Sequence, residues 1–220
     1  MKQRNRNKVK THILMAVMLL TVTGMVQAQS DDSMSIVTAP RDMTEEAPIQ
    51  EAPQSNHGWS INRMQSAVEF QVDAKMENVT GRFGQYALSG FEYTPGDYTS
   101  LRGKLIIDTS TVRTGKAARD EHMLQDDFFY VERYPQASVT VHGVQDEMGE
   151  YVALITLQIR DKTQEYAVPV RFMETDDGFA ASGKFLVNRT DFDLTGNILA
   201  NSIVDDYVVL RFNLSLVREN

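Results

Sequence analysis

Cysteine is absent from all 220 residues of the chain. That excludes a disulfide scaffold, a thiolate zinc site, a thiol nucleophile and a lipid-modified N-terminal cysteine, so stability has to come from packing. A domain of roughly 150 residues buries about 70 % of its unfolded surface, which is enough for packing to suffice. A surplus of positive charge is also missing: 30 Asp plus Glu stand against 22 Lys plus Arg, a formal net charge of −8. Such a chain repels phosphate backbones, so nucleic-acid binding through a basic face is not expected. No apolar run reaches the roughly 20 residues of a membrane-spanning helix, so stable membrane insertion of the mature chain is not expected either.

Aromatic residues are missing from the first 58 positions; all 19 lie at Trp59 or beyond. Within the aromatic-free part, Lys2, Arg4, Arg6, Lys8 and Lys10 precede a short apolar run, Ile13 to Leu20, and Val26, Gln27 and Ala28 follow as a small-residue cleavage site. This is the pattern of a secretory signal peptide cut after Ala28, which predicts a periplasmic or secreted protein. Residues 29–58 hold half of the prolines and six acids against Arg41 alone. Such a segment cannot bury enough apolar surface to offset its ordering entropy, and a disordered acidic linker is expected. The folded domain is therefore predicted over 59–220.

Inside that domain apolar residues recur at every second position, the signature of strands with one buried face. Val68, Phe70 and Val72 alternate with Glu69, Gln71 and Asp73, and Val208, Leu210, Phe212, Leu214 and Leu216 form the longest run. Similar runs cover 101–108, 139–143, 153–159, 166–172 and 179–187, and a less regular stretch from Arg82 to Tyr93 brings the count to eight. Turn residues separate them at Pro95–Gly96, Asp146–Gly149, Asp161–Lys162 and Asp176–Gly178, and such short connections imply antiparallel neighbours. Eight such strands make a sandwich or curl into a barrel, and an eight-stranded barrel is just wide enough to be filled by side chains or to hold one slender ligand. Thr114 and Gly115 open a predicted short helix over 116–124, between the third and fourth strands. A second helix or cap is expected within 190–200.

The run Arg119, Asp120, Glu121, His122, Met123, Leu124, then Asp127, Phe128, Phe129, Tyr134 and Pro135, resembles the R-D-x-H-L, D-F-F and Y-P pattern of the YceI-like family. Trp59–Asn62 is similar to that family's opening W-x-I-D, Gly81 and Phe83 to its G-x-F, and Asn188, Arg189, Asp191 and Phe192 to its N-R-x-D-F. The chain departs from the pattern at Arg63–Ser66, at Asp73–Lys75 and at Asp161, which stands at an expected turn glycine. The resemblance, which spans Trp59 to about Val217, implies an all-β, lipocalin-like antiparallel barrel of eight strands that binds polyisoprenoid lipids in the periplasm.

In that reading the even-spaced faces line a bore for a polyisoprenoid or other long-chain lipid, each buried methylene contributing roughly 0.8 kcal/mol. The candidate ligand-binding residues are Val68, Phe70, Phe83, Leu105, Ile107, Phe128, Phe129, Val141, Ile155, Leu157, Phe172, Phe185, Leu210 and Phe212. Arg119 and His122 are candidates for a polar head at the mouth. Alternation alone equally describes a packed interior, and Arg119 with Asp120 equally reads as a capping pair that fixes the helix. Trp59 is expected to plug one end. No catalytic set and no cofactor is identifiable beyond a bound lipid. The alternatives are a metal-assisted hydrolase using His122 with Asp126 or Asp127, and a ligand-free interaction module; pairing of two barrels stays open.

Overall fold

Period-two alternation becomes one antiparallel sheet in the computed structural model, which describes residues 54–75, 77–196 and 203–219. The expected leader, and the acidic segment as far as Pro53, lie outside the described residues. The strands are β1 (Trp59–Ile61), β2 (Ala67–Ala74), β3 (Asn78–Phe83), β4 (Tyr86–Thr94), β5 (Asp97–Asp108), β6 (Val112–Arg113), β7 (Gln136–Glu147), β8 (Glu150–Ile159), β9 (Lys162–Thr175), β10 (Gly178–Asn188) and β11 (Val204–Arg218). One short helix, α1 (Ala117–Met123), lies between β6 and β7, within the span where the sequence predicted it.

All eight expected runs are strands, and the count rises to eleven for local reasons. Val112–Arg113 and Trp59–Ile61 add two short strands, and the Arg82–Tyr93 run is split in two. At the split Thr111 Oγ1 accepts the amide N–H groups of both Gly84 and Gln85, each at 3.1 Å, so the strand bends out of its ladder. The described part of 190–200 holds a short 3-10 turn, Arg189–Phe192, and 197–200 lie outside the described residues.

The ladder runs β4-β5-β7-β8-β9-β10-β11-β2-β3-β6. Its first strand and β3 are joined by only Gly84 and Gln85, so the chain itself draws the ends of the sheet together and curls it into a barrel. The outer edge of β4 is covered from the N-terminal side. Gln54 accepts from the Gly90 amide, and Asn56 donates to Leu88 O at 3.2 Å and accepts from the Phe91 amide at 3.3 Å. Covering an edge in this way removes a template for intermolecular pairing. These contacts begin at Gln54, ahead of Trp59.

Hairpin turns follow the sequence signals with one difference. The left-handed residue of the β8–β9 turn is Arg160 (φ 58°), not Asp161. Its guanidinium turns back and Nη1 donates to the carbonyls of Asp126, Phe128 and Asp193, each at 3.2 Å, an arrangement that offsets the backbone cost of a non-glycine there.

Candidate functional site

The inward faces meet in two packed clusters. One, around Trp59, Phe91, Leu101, Val168, Phe179 and Leu216, fills one end of the barrel. The other, around Phe70, Val112, Phe129, Leu157, Val187 and Phe192, fills the end under α1. Between and beside them lies an apolar cavity of about 190 Å³. An apolar void of about 150 Å³ stays dry and takes up a benzene-sized molecule, so this bore has room for roughly one such ring.

Cross-strand register explains why space remains among so many rings. Phe70 opposes Gly81, and Phe212 opposes Gly183. A Cβ at Gly81 would lie 2.2 Å from the Phe70 ring, and one at Gly183 would lie 2.7 Å from the Phe212 ring. Both phenyls therefore lie flat against the neighbouring strand, an arrangement only glycine permits.

One end is closed by rings. Trp59 makes edge contacts with Phe91, Tyr93 and Phe179 at 5.4 to 6.0 Å, and Tyr98 stacks on Phe172 at 4.2 Å. This is the plug expected of Trp59. The Tyr98 hydroxyl hydrogen-bonds Glu174, and burial followed by that carboxylate raises its pKa far above the ordinary tyrosine value.

The other end is held by polar clips. Arg189 is 4 % exposed. It donates to the carbonyls of Leu194 (2.7 Å), Asp205 (2.9 Å), Thr195 (3.1 Å) and Val204 (3.2 Å), and pairs with Asp206 at 3.0 Å. Arg119 donates to Thr114 Oγ1 (2.8 Å) and Thr114 O (3.0 Å) and reaches Glu77 at 2.8 Å, while Asp120 accepts from the Thr114 amide at 2.7 Å. The Glu77 carboxyl is held below its ordinary value by hydrogen bonds from Lys116 and then Arg119. His122 Nε2 lies 2.9 Å from Asp127 Oδ2, and Asp127 Oδ1 is buried without a hydrogen-bond partner among the described residues.

Of the residues singled out in the sequence, Val68, Phe83, Leu105, Ile107, Phe129, Val141, Ile155, Leu157, Phe172, Phe185, Leu210 and Phe212 line the cavity. Four do not. Phe70 is turned onto Gly81, and Phe128 packs edge-on against His122 at 5.1 Å. Arg119 and His122 are occupied in the clips around α1. Arg119 and Asp120 thus form the fixing pair that was one of their two readings. Among the described residues no three His, Asp or Glu side chains come together as a metal-binding group. Sequence reasoning left out further lining residues, among them Leu88, Phe91, Val168, Leu194 and Arg189. Arg189 stood in a quoted motif, but its position at the bore depends on how the loop after β10 closes.

A YceI-like domain profile matches residues 59–216. Protein YceI of Salmonella arizonae and that of Salmonella enteritidis are each 29 % identical over 154 residues, 60 % of this chain and 79 % of theirs. Among solved structures, BcnA of Burkholderia cenocepacia superposes with a TM-score of 0.65 at 21 % identity, over 71 % of this chain and 99 % of that one. A polyisoprenoid binding domain from Saccharophagus degradans gives 0.59 at 19 % identity, over 74 % and 99 %. At these identities the structural matches establish the lipocalin-like barrel fold.

Proposed function

Given that the chain belongs to the YceI-like domain family, we propose that it binds a slender, long-chain apolar ligand in its bore and carries or sequesters it. Polyisoprenoid is the class named for the Saccharophagus domain and is the ligand proposed here. The observation that carries the reading is the apolar void itself. At about 24 cal/mol per Å³, leaving 190 Å³ empty forgoes roughly 4 to 5 kcal/mol of stability, and water does not fill an apolar void. An apolar ligand recovers that energy.

Magnitude also sets a condition. About six carbons at roughly 0.8 kcal/mol each give about 5 kcal/mol, which corresponds to a Kd only just below 1 mM. Tighter binding of a longer chain requires rings such as Phe185 and Phe212 to swing aside. Export, with cleavage after Ala28 and residues 29–53 as a tether, belongs to the same proposal and rests on the composition of the leader; residues 54–58, expected in the linker, are instead bonded to β4.

The test is saturation binding of a tritiated polyprenol to the purified protein and to Val141→Phe, which pushes a ring into the bore. Binding by the parent and its loss in a variant that keeps a cooperative thermal transition supports the reading; equal binding by both contradicts it.

A further inference from the structure

The barrel wall is not hydrogen-bonded along its whole length. β9 and β10 pair from Thr175–Gly178 only as far as Val170–Gly183. Beyond that point β10 continues to Asn188 against β11, and β9 runs back to Lys162 against β8, with no ladder between them. The unpaired stretch of β10, Lys184 to Asn188, is roughly 16 Å long at about 3.3 Å per residue. Pro169, just past the last pair, has no N–H with which to extend a ladder.

Side chains, not backbone bonds, fill this seam. Tyr166 on β9 meets Phe185 on β10 with ring centroids 5.2 Å apart. Gln164 shares the inward parity of Tyr166 and Val168 yet is exposed, so the inner face of β9 is uncovered at this end although the strand stays paired with β8. The outer flanks are uncharged at Ala167 and at Leu186, which is 59 % exposed. Among the described residues the far end of the seam is clipped by an exposed Lys162–Asp193 pair at 3.4 Å and by Arg160 on the Asp193 carbonyl. The cavity reaches both flanks, through Val168 and Val170 on one and Phe185 and Val187 on the other.

We infer that the β9–β10 seam is the slot through which the apolar chain enters and leaves the bore from the side, with Tyr166 and Phe185 as its gate. This rests on the bore-binding reading above. Two other stretches of the wall also lack a ladder among the described residues, but each is held: between β5 97–102 and β7 142–147 the Arg102 guanidinium lies against Gly143 and Tyr98 packs into the ring cluster, and between β3 and β4 the two-residue link is tied to Thr111. At β9–β10 parting costs ring contacts, one side-chain hydrogen bond and one exposed ion pair, which is worth little. A long chain can then slide in sideways and displace the gate rings, one of which, Phe185, lines the small resting cavity and must move for a longer chain to fit.

The absence of native cysteine makes a clean test available. Continuing the β9–β10 register places Ala167 opposite Leu186. The double variant Ala167→Cys/Leu186→Cys is bridged with a short bis-maleimide, and uptake and release of tritiated polyprenol are timed in the bridged and unbridged protein. A control bridge joins Gln145→Cys and Val152→Cys, which are already paired across β7 and β8. The slot requires at least a tenfold slowing of both uptake and release on bridging the seam, none on bridging the control, and unchanged equilibrium occupancy. Tyr166→Ala, which removes half of the gate, is expected to accelerate both rates. Equal rates in the bridged and unbridged protein overturn the slot and leave bore binding standing. No uptake by the unbridged protein overturns both.

Discussion

Both ends of the barrel are packed with apolar side chains, but they are closed differently. At the Trp59 end, seven rings from strands β1, β4, β5, β8, β9 and β10 contact one another at centroid distances of 4.2 to 6.0 Å. At the α1 end, Arg189, Arg160 and Arg119 tie loops together through carbonyl oxygens and short-range ion pairs. Packed rings lose energy in proportion to the surface they cover, and their failure is global. Clips of hydrogen bonds to loop carbonyls fail locally, because each holds a segment that the strands do not need. The contrast suggests a rigid closed end and an adjustable one.

The largest expected effect breaks the ring-built end. Phe179 is fully buried and touches Trp59, Tyr93, Tyr98 and Phe172. Phe179→Ala should cost about 3 to 5 kcal/mol in urea unfolding, with the transition still cooperative.

A smaller and more localised effect is expected from Arg189→Met. Each buried carbonyl left without a donor costs roughly 1 to 3 kcal/mol where the loop cannot relax to water, and relaxation should keep the total near 2 kcal/mol. Hydrogen exchange should quicken in 189–196 and 203–206 while the strands around Phe179 stay protected. A uniform loss of protection would erase the proposed difference between the ends.

The smallest effect concerns the α1 clip. Glu77 has a folded-state pKa held below its unfolded value, so its contribution is complete above the ordinary glutamate value of 4.5 and is lost as the pH falls through the lower folded value. Glu77→Gln should flatten the dependence of the thermal midpoint on pH in that acid window and leave it unchanged at neutral pH apart from a constant offset. An unchanged slope would mean that the clip contributes nothing to folding, the common fate of an exposed ion pair.

The inward faces of the strands were the part most legible in the sequence. Alternation tells which face of a strand each residue occupies, so Leu210, Phe212, Ile155 and Leu157 could be placed on the interior from spacing alone. It does not give register. That Phe70 faces Gly81, and so lies flat instead of reaching the bore, depends on a cross-strand partner no local pattern names. Nor does it give the completeness of a ladder. Lys162–Pro169 alternates in the same way whether or not a neighbour pairs with it, so the seam was invisible before the strands were assembled. Arg189 and Leu194 were out of reach for a third reason: their positions follow from loop closure. The motif around Arg119, Asp120 and His122 stood out in the chain, but its partners Glu77 and Thr114 show it fastening the helix.

The most direct measurement for the central claim is mass spectrometry of organic extracts from the protein purified without denaturant from the cells that make it. One long-chain apolar lipid is expected at close to one mole per mole of protein, and absent from Val141→Phe prepared in parallel. Repeated preparations free of stoichiometric lipid, together with no binding of added polyprenol, would contradict the account.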